Sequence, residues 1–171
     1  MQQFIKEGGP HSILHTEDRV IAGNDAFAAP LASVPAVWIT GGRQWRLADI
    51  YGGSRTARAL YDLLARGGLI AGSSAGTSIM GSYLIRGSPS GNAVLMSPGH
   101  ERGFGFLRNV AIDQHILLHD RESDLAGSPV RSGDLVGTGR GRAETARFRS
   151  RCRQASPKLL NSSYWMGGRA V

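Results

Sequence analysis

The chain has 171 residues, of which 41% are hydrophobic and 19% charged, with 24 glycines and one cysteine, Cys152. This length fits one domain, and the apolar content argues against global disorder. A single cysteine excludes a disulfide framework and a multi-cysteine zinc site. No apolar stretch approaches the roughly 20 residues of a membrane span, and the first residues lack a signal-peptide core, so we expect a cytoplasmic protein.

The net charge of +7 arises in the last part of the chain. Residues 1–139 carry 12 basic and 12 acidic side chains, whereas residues 140–171 carry eight basic side chains and one acid, Glu144. A basic tail could bind nucleic acid or an acidic membrane surface. It lacks the regular aromatic residues of a base-stacking surface, so we expect neither partner. We divide the chain into a domain over 1–139 and a basic, irregular tail over 140–171.

Short apolar runs alternate with helical patterns through the first part of the chain. In chain order, they predict a strand near 12–15, a helix near 24–29, strands at 36–40 and 69–71 with a helix at 56–66 between them, a helix at 77–85, a polar loop over 86–103 and a strand at 109–113. Ser54 is the expected N-cap of the 56–66 helix. This alternation predicts an α/β fold, a parallel sheet flanked by helices.

The sequence Gly-x-Ser-x-Gly at Gly72, Ser74 and Gly76 lies between a predicted strand and a predicted helix. This is the setting of a nucleophile elbow, in which a sharp, strained turn exposes the serine and glycines let the chain pass closely. The start of the following helix directs free N–H groups toward a developing oxyanion. The pattern is also compatible with an ordinary Gly/Ser turn, and both interpretations stay open on the motif alone.

A serine nucleophile needs a base, and the chain has five histidines. His115 follows a predicted strand directly, at the sheet edge where open α/β folds place their chemistry. His100 falls in the polar loop, and His119 could be a solvated neighbour of His115. His11 and His15 have the i, i+4 spacing of a metal pair, but nearby glycines and a proline disfavour a helix there. We expect these two to be surface histidines, and we expect no metal and no cofactor.

Three segments resemble the cyanophycinase and dipeptidase E family of serine peptidases, which have a class I glutamine-amidotransferase-like fold. They are AVWITGGRQ at 36–44, LIAGSSAGTSI at 69–79 and GFGFLRNVAIDQHILLHDRESDL at 103–125. The family pattern runs Gly-Gly-x-Gln, Gly-x-Ser-Ala-Gly and Asp-Gln-His at about this spacing. The resemblance implies Ser74 as nucleophile and His115 as general base and then acid. It also implies an oxyanion hole from the backbone of Gly42, in the turn with Gly41, and of Ala75, and a substrate pocket lined by Gln44, Asp113 and Gln114.

The chain departs from the cyanophycinase pattern at two places. After the histidine that pattern has three arginines, of which only Arg121 is matched here, as a further substrate-binding candidate. The third triad residue of cyanophycinases is a glutamate about 27 residues past the histidine, a count that ends at Arg142 in this chain. Glu144 is the nearest candidate. The resemblance therefore implies peptide hydrolysis more firmly than it implies recognition of an arginyl-aspartate polymer.

We accordingly expect a serine-type peptidase that hydrolyses Asp-containing peptide or isopeptide bonds in small or Asp-rich peptides, and a homodimer is one allowed assembly. One alternative is an α/β-hydrolase-type esterase, although only 97 residues follow Ser74. The other is a catalytically impaired fragment of the same family, incomplete at both ends. Residues 135–139 still fit a strand that the family resemblance implies. The Arg-rich sequence after them is of the kind that a shifted reading frame can produce. We therefore expect residues 140–171 not to pack regularly.

Overall fold

The structure is a computed structural model that describes residues 11–114 and the backbone of residues 135–138 and 163–167. Two short helices and a 3-10 turn come first, and the remaining elements alternate strand and helix. In chain order they are α1 (Arg19–Ala22), α2 (Asp25–Ala28), the 3-10 turn (Ala29–Ala32), β1 (Ala36–Ile39), α3 (Gln44–Tyr51), α4 (Arg55–Ala65), β2 (Leu69–Ser73), α5 (Ala75–Ser78), β3 (Gly81–Tyr83), β4 (Leu107–Gln114), β5 (Leu135–Thr138) and β6 (Ser163–Gly167).

The strands form two hydrogen-bonded sheets of three strands each. In the first, β2 pairs in parallel with β1 and antiparallel with β6. In the second, β4 pairs in parallel with β3 and with β5. The predicted α/β class, with parallel strands flanked by helices, is confirmed. The division into two ladders and the antiparallel strand were not predicted.

Helix α4 shows how the sequence builds the core. The hydroxyl of Ser54 accepts a hydrogen bond from the N–H of Ala57, which caps the helix as predicted. Leu60 and Leu63 lie on one helix face and pack in a buried cluster with Ile70 of β2. The connection from α4 to β2 is short, so β1 and β2 lie side by side and both end at the same edge of the sheet.

Two predicted elements are wrong, and two helices, α1 and α3, were not predicted. No strand forms at 12–15. At the next residue, Thr16, both backbone groups are hydrogen-bonded to the hydroxyl of Tyr51 and not to another strand. The helix predicted over 77–85 ends at Ser78, since Gly81–Tyr83 pairs with β4. Helix Gln44–Tyr51 has no side-chain cap at Arg43, so the usual start signal is missing.

The prediction for the tail is corrected in one segment. Residues 163–167 form β6 and pair with all five residues of β2, from Leu69 to Ser73. The expected irregular packing therefore does not hold for these residues, because the second edge of β2 offers backbone groups that a strand can satisfy. The strand expected at 135–139 is present as β5, and the rest of 140–171 lies outside the described residues. Among the described residues, none of the helices has the length and apolarity needed to span a membrane.

Candidate active site

Ser74 lies between the last residue of β2 and the first residue of α5. Its backbone has φ 54° and ψ −123°, which an L-amino acid adopts at a cost of about 1–3 kcal/mol. The residue is partly exposed, whereas the four residues of α5 after it are buried. This is the strand–turn–helix setting that the sequence predicted and that a nucleophile elbow needs, and the role of Ser74 as nucleophile stays a prediction.

The two glycines of the motif are required by close backbone contacts. A Cβ atom on Gly72 would lie 2.5 Å from the carbonyl oxygen of Gly76. A Cβ atom on Gly76 would lie 2.1 Å from the carbonyl oxygen of Ile39, at the end of β1. Neither contact leaves room for a side chain, so the elbow and the end of β1 can meet only through glycine.

Two buried hydroxyls fix the elbow. Thr77 Oγ1 donates a hydrogen bond of 2.8 Å to the carbonyl oxygen of Gly72 and so closes the turn across Ser74. Ser78 Oγ donates a hydrogen bond of 2.9 Å to the carbonyl oxygen of Ile112 in β4. Because β2 and β4 belong to different ladders, the short helix α5 connects the two sheets directly after Ser74.

The turn between β1 and α3 lies against Ser74. A Cβ atom on Gly41 would be 3.0 Å from Cβ and 3.5 Å from Oγ of Ser74. Gly42 follows with φ 143°, and both glycines are exposed. The structure therefore brings together the Gly-Gly turn and the serine, the two segments that the resemblance assigned to the oxyanion hole.

Gln44 begins α3 and is 4% exposed. Its Nε2 donates hydrogen bonds to the carbonyl oxygens of Ile85, at 3.2 Å, and Arg86, at 2.8 Å. The side chain is thus held against the segment that follows β3. Contact between Gln44 and a substrate stays a prediction.

Asp113 and Gln114 are the last residues of β4, and both are buried. The carboxylate of Asp113 forms a buried ion pair with Arg86, whose Nε lies 2.9 and 3.0 Å from its two oxygens. Oδ1 of Asp113 also accepts the N–H of Gln114 at 2.8 Å. The side-chain oxygen Oε1 of Gln114 is buried and has no hydrogen-bond partner within the described structure.

Three predicted site residues, His115, Arg121 and Glu144, lie outside the described residues, so their roles stay predictions. Sequence reasoning missed Arg86, which contacts both Gln44 and Asp113. No motif marks it, because its importance comes from contacts between segments far apart in sequence. The only sequence signal that could have indicated a buried role for Arg86 is its position directly after an apolar run.

Other parts of the described chain offer no competing centre. His11 and His15 are exposed and lie outside any helix, and no group of three or more His, Cys, Asp or Glu among the described residues could hold a metal ion. A groove of about 620 Å³ at the end of α3 is lined by Arg19, Asp49, Arg102 and Phe104, together with alanine and glycine residues. It contains none of the predicted site residues.

A partly exposed serine on a strained strand–helix turn, next to a Gly-Gly turn at the edge of an α/β sheet, is the arrangement found in α/β proteins that have a nucleophile elbow. The family model described as Peptidase family S51 matches residues 13–128, which is more than half of the chain. The chain belongs to peptidase family S51, and the predicted family is confirmed.

Curated relatives point to the same family. The chain is 29% identical over 129 residues to proteins named cyanophycinase from Trichormus variabilis and from Nostoc sp., covering 74% of this chain and 43% of each relative. It is 25% identical over 131 residues to a protein named cyanophycinase from Geminocystis herdmanii, covering 74% of this chain and 47% of the relative. The chain thus spans less than half of the length of these relatives.

Proposed function

We propose that the chain provides the nucleophile of a serine-type peptidase. The observation that carries the proposal is the backbone of Ser74, with φ 54° on a partly exposed turn between β2 and α5. Strain of this kind persists only where surrounding contacts enforce it, and here Thr77, Gly72 and Gly76 do so. An ordinary Gly/Ser turn would need none of these contacts.

In the proposed reaction, Ser74 Oγ attacks the carbonyl carbon of the scissile bond while His115 removes its proton. The backbone N–H groups of Gly42 and Ala75 stabilise the oxyanion. His115 then donates the proton to the leaving amine, and water releases the acyl group from Ser74 by the reverse sequence. Glu144 is the candidate for the acid that orients the histidine.

We propose Asp-containing peptides or isopeptides as the substrates, and this part rests on the family. The relatives' name, cyanophycinase, supports that class. The described part of the site adds one observation: Oε1 of Gln114 is buried and has no hydrogen-bond partner within the described residues, and an amide oxygen can only accept a hydrogen bond.

The experiment compares the variants Ser74→Ala and Ser73→Ala with the unchanged protein on Asp-containing dipeptides and on cyanophycin. Loss of the nucleophile should lower kcat by at least about 10⁴-fold, as in other serine hydrolases. The Ser73 variant removes the neighbouring hydroxyl and should retain activity within a few-fold. Equal, clearly measurable activity in all three proteins would remove Ser74 from the mechanism. No detectable activity in any of the three would favour the catalytically impaired alternative.

The remaining proposals concern assembly and location. We propose a cytoplasmic protein that acts on small or Asp-rich peptides without a membrane or nucleic-acid partner and that can form a homodimer. Light scattering coupled to size exclusion gives the assembly. A filter-binding assay at low salt, where basic tails bind DNA most strongly, tests the absence of nucleic-acid binding.

A further inference from the structure

Arg86 combines three properties that are rarely found together in one residue. It is 2% exposed although it is charged, its φ is 55° although it is not glycine, and its side chain is ion-paired in the interior. Buried charge and left-handed backbone both cost free energy, so the surrounding contacts must hold the residue in place. Those contacts lead to the two sides of the candidate substrate pocket.

The first side is the end of β4. Arg86 Nε binds the carboxylate of Asp113, and Oδ1 of that carboxylate accepts the N–H of Gln114 at 2.8 Å. The guanidinium therefore fixes the carboxylate, and the carboxylate fixes the peptide group that carries the Gln114 side chain. Oε1 of that side chain has no hydrogen-bond partner among residues 11–114.

The second side is the start of α3. The carbonyl oxygen of Arg86 accepts the hydrogen bond from Gln44 Nε2 at 2.8 Å. Arg86 Nη1 donates to the carbonyl oxygen of Asn92 at 3.1 Å, and Asn92 Oδ1 accepts from Arg43 Nη1, also at 3.1 Å. Arg43 and Gln44 directly follow the Gly-Gly turn. One residue is thus hydrogen-bonded, directly or through Asn92, to both sides.

We infer that Arg86 is a positioning residue that holds Gln44 and Gln114 in fixed relation across the pocket and thereby sets substrate binding. This inference rests on the proposed function of the pocket. The reactivity of Ser74 has separate supports, namely the Thr77 hydrogen bond to Gly72 and the contact between Gly76 and Ile39. Loss of Arg86 should therefore raise KM and leave the nucleophile reactive.

The test uses the full chain with Arg86→Met, Arg86→Lys and a matched control, Arg66→Met. Arg66 also donates hydrogen bonds to two backbone carbonyls, of Leu31 and Val34, but at the opposite edge of the sheet. We expect Arg86→Met to raise KM for an Asp-containing dipeptide at least about tenfold, with kcat within about threefold. Arg86→Lys should recover part of the loss, and Arg66→Met should leave KM unchanged. A small fluorophosphonate should label Ser74 at the same rate in all four proteins.

A double variant separates positioning from general stability. Arg86→Met alone removes the ion pair between Arg86 and the buried Asp113 carboxylate, so some loss of thermal stability is expected. Arg86→Met with Asp113→Leu removes both charges and should restore the thermal midpoint. Because Asp113 is itself a predicted pocket residue, Asp113→Leu alone is the reference. If Arg86 acts by positioning, KM in the double variant stays high and exceeds that of Asp113→Leu. A KM restored together with stability, or an unchanged KM in Arg86→Met, would overturn the inference.

Failure of the proposed function gives a different result. A protein that neither hydrolyses peptides nor reacts with the fluorophosphonate at Ser74 contradicts the proposed function and not the positioning role. Hydrogen exchange then tests the inference directly. Arg86→Met should accelerate amide exchange in both 41–47 and 107–114 by at least about tenfold, and Arg66→Met in neither. Acceleration confined to 86–95 would show that Arg86 supports only its own loop.

Discussion

Ser74 occupies a conformation that glycine adopts more readily than any residue with a side chain. Ser74→Gly should therefore be more stable than Ser74→Ala by about 1 kcal/mol, although both lack the hydroxyl. At Ser73, a regular residue of β2, the order should be reversed, because glycine weakens a strand. Urea unfolding of the four variants measures both differences. Alanine more stable than glycine at both positions would mean that the backbone of Ser74 is not strained.

Sequence reasoning at the residue scale succeeded where a residue type follows from local geometry. Gly72, Ser74 and Gly76 were predicted because a sharp turn needs small residues on both sides of an exposed serine. Arg86 and its left-handed backbone were missed. Its environment is made by Gln44 and Asp113, which lie 42 and 27 positions away, and no local pattern encodes such contacts.

The N-terminus of α4 depends on one side chain. Ser54→Ala removes the hydrogen bond that the hydroxyl accepts from Ala57, and the buried site gives water little access to replace it. We expect a loss of about 1 kcal/mol in the free energy of unfolding. Ser90→Ala, at an exposed loop position, should stay within about 0.5 kcal/mol of the unchanged protein. Thermal and urea unfolding provide the comparison, and equal losses at both positions would contradict the capping role.

The close contact between Gly76 and Ile39, at the end of β1, predicts the effect of a side chain at position 76. Gly76→Ala places a Cβ atom 2.1 Å from the carbonyl oxygen of Ile39, so β1 and α5 must separate. We expect a destabilisation of about 3 kcal/mol or more, together with loss of the soluble folded protein. Gly23→Ala, whose nearest atom is 3.3 Å away, is the control and should cost far less. A Gly76 variant that unfolds like the control would show that the two segments are not in contact.

Elements were predictable where periodicity and end signals agreed. Helix α4 has a cap, an apolar face and a stop, and β1, β2 and β4 are apolar runs bounded by polar or glycine residues. The helix predicted over 77–85 was too long. Apolar residues at 79, 80, 84 and 85 suit a helix as well as a strand, and pairing with β4 decides between them. That pairing joins segments more than 20 residues apart.

At the scale of the whole molecule, β6 protects the second edge of β2. Removal of residues 163–171 would expose the backbone groups of Leu69–Ser73, next to Ser74. We expect the midpoint of thermal unfolding to fall by about 5 °C or more and light scattering to rise at micromolar concentration, because open strand edges pair between molecules. Removal of 168–171 alone leaves the ladder and should change neither quantity. Identical behaviour of the two truncations would show that β6 does not protect this edge.

The pairing of β2 with β6 affects the order in which parts of the chain fold. Ser73 and Ser163 are paired although 90 positions separate them, so this ladder closes one of the longest loops in the fold. Contacts of that span form late in folding, after the local helices and β1 with β2. Until then one edge of β2 is unpaired, and residues 163–167 of a neighbouring chain can pair with it in the same register. Refolding at high concentration should therefore convert a fraction of the molecules into strand-exchanged dimers, whereas refolding at high dilution should yield monomers.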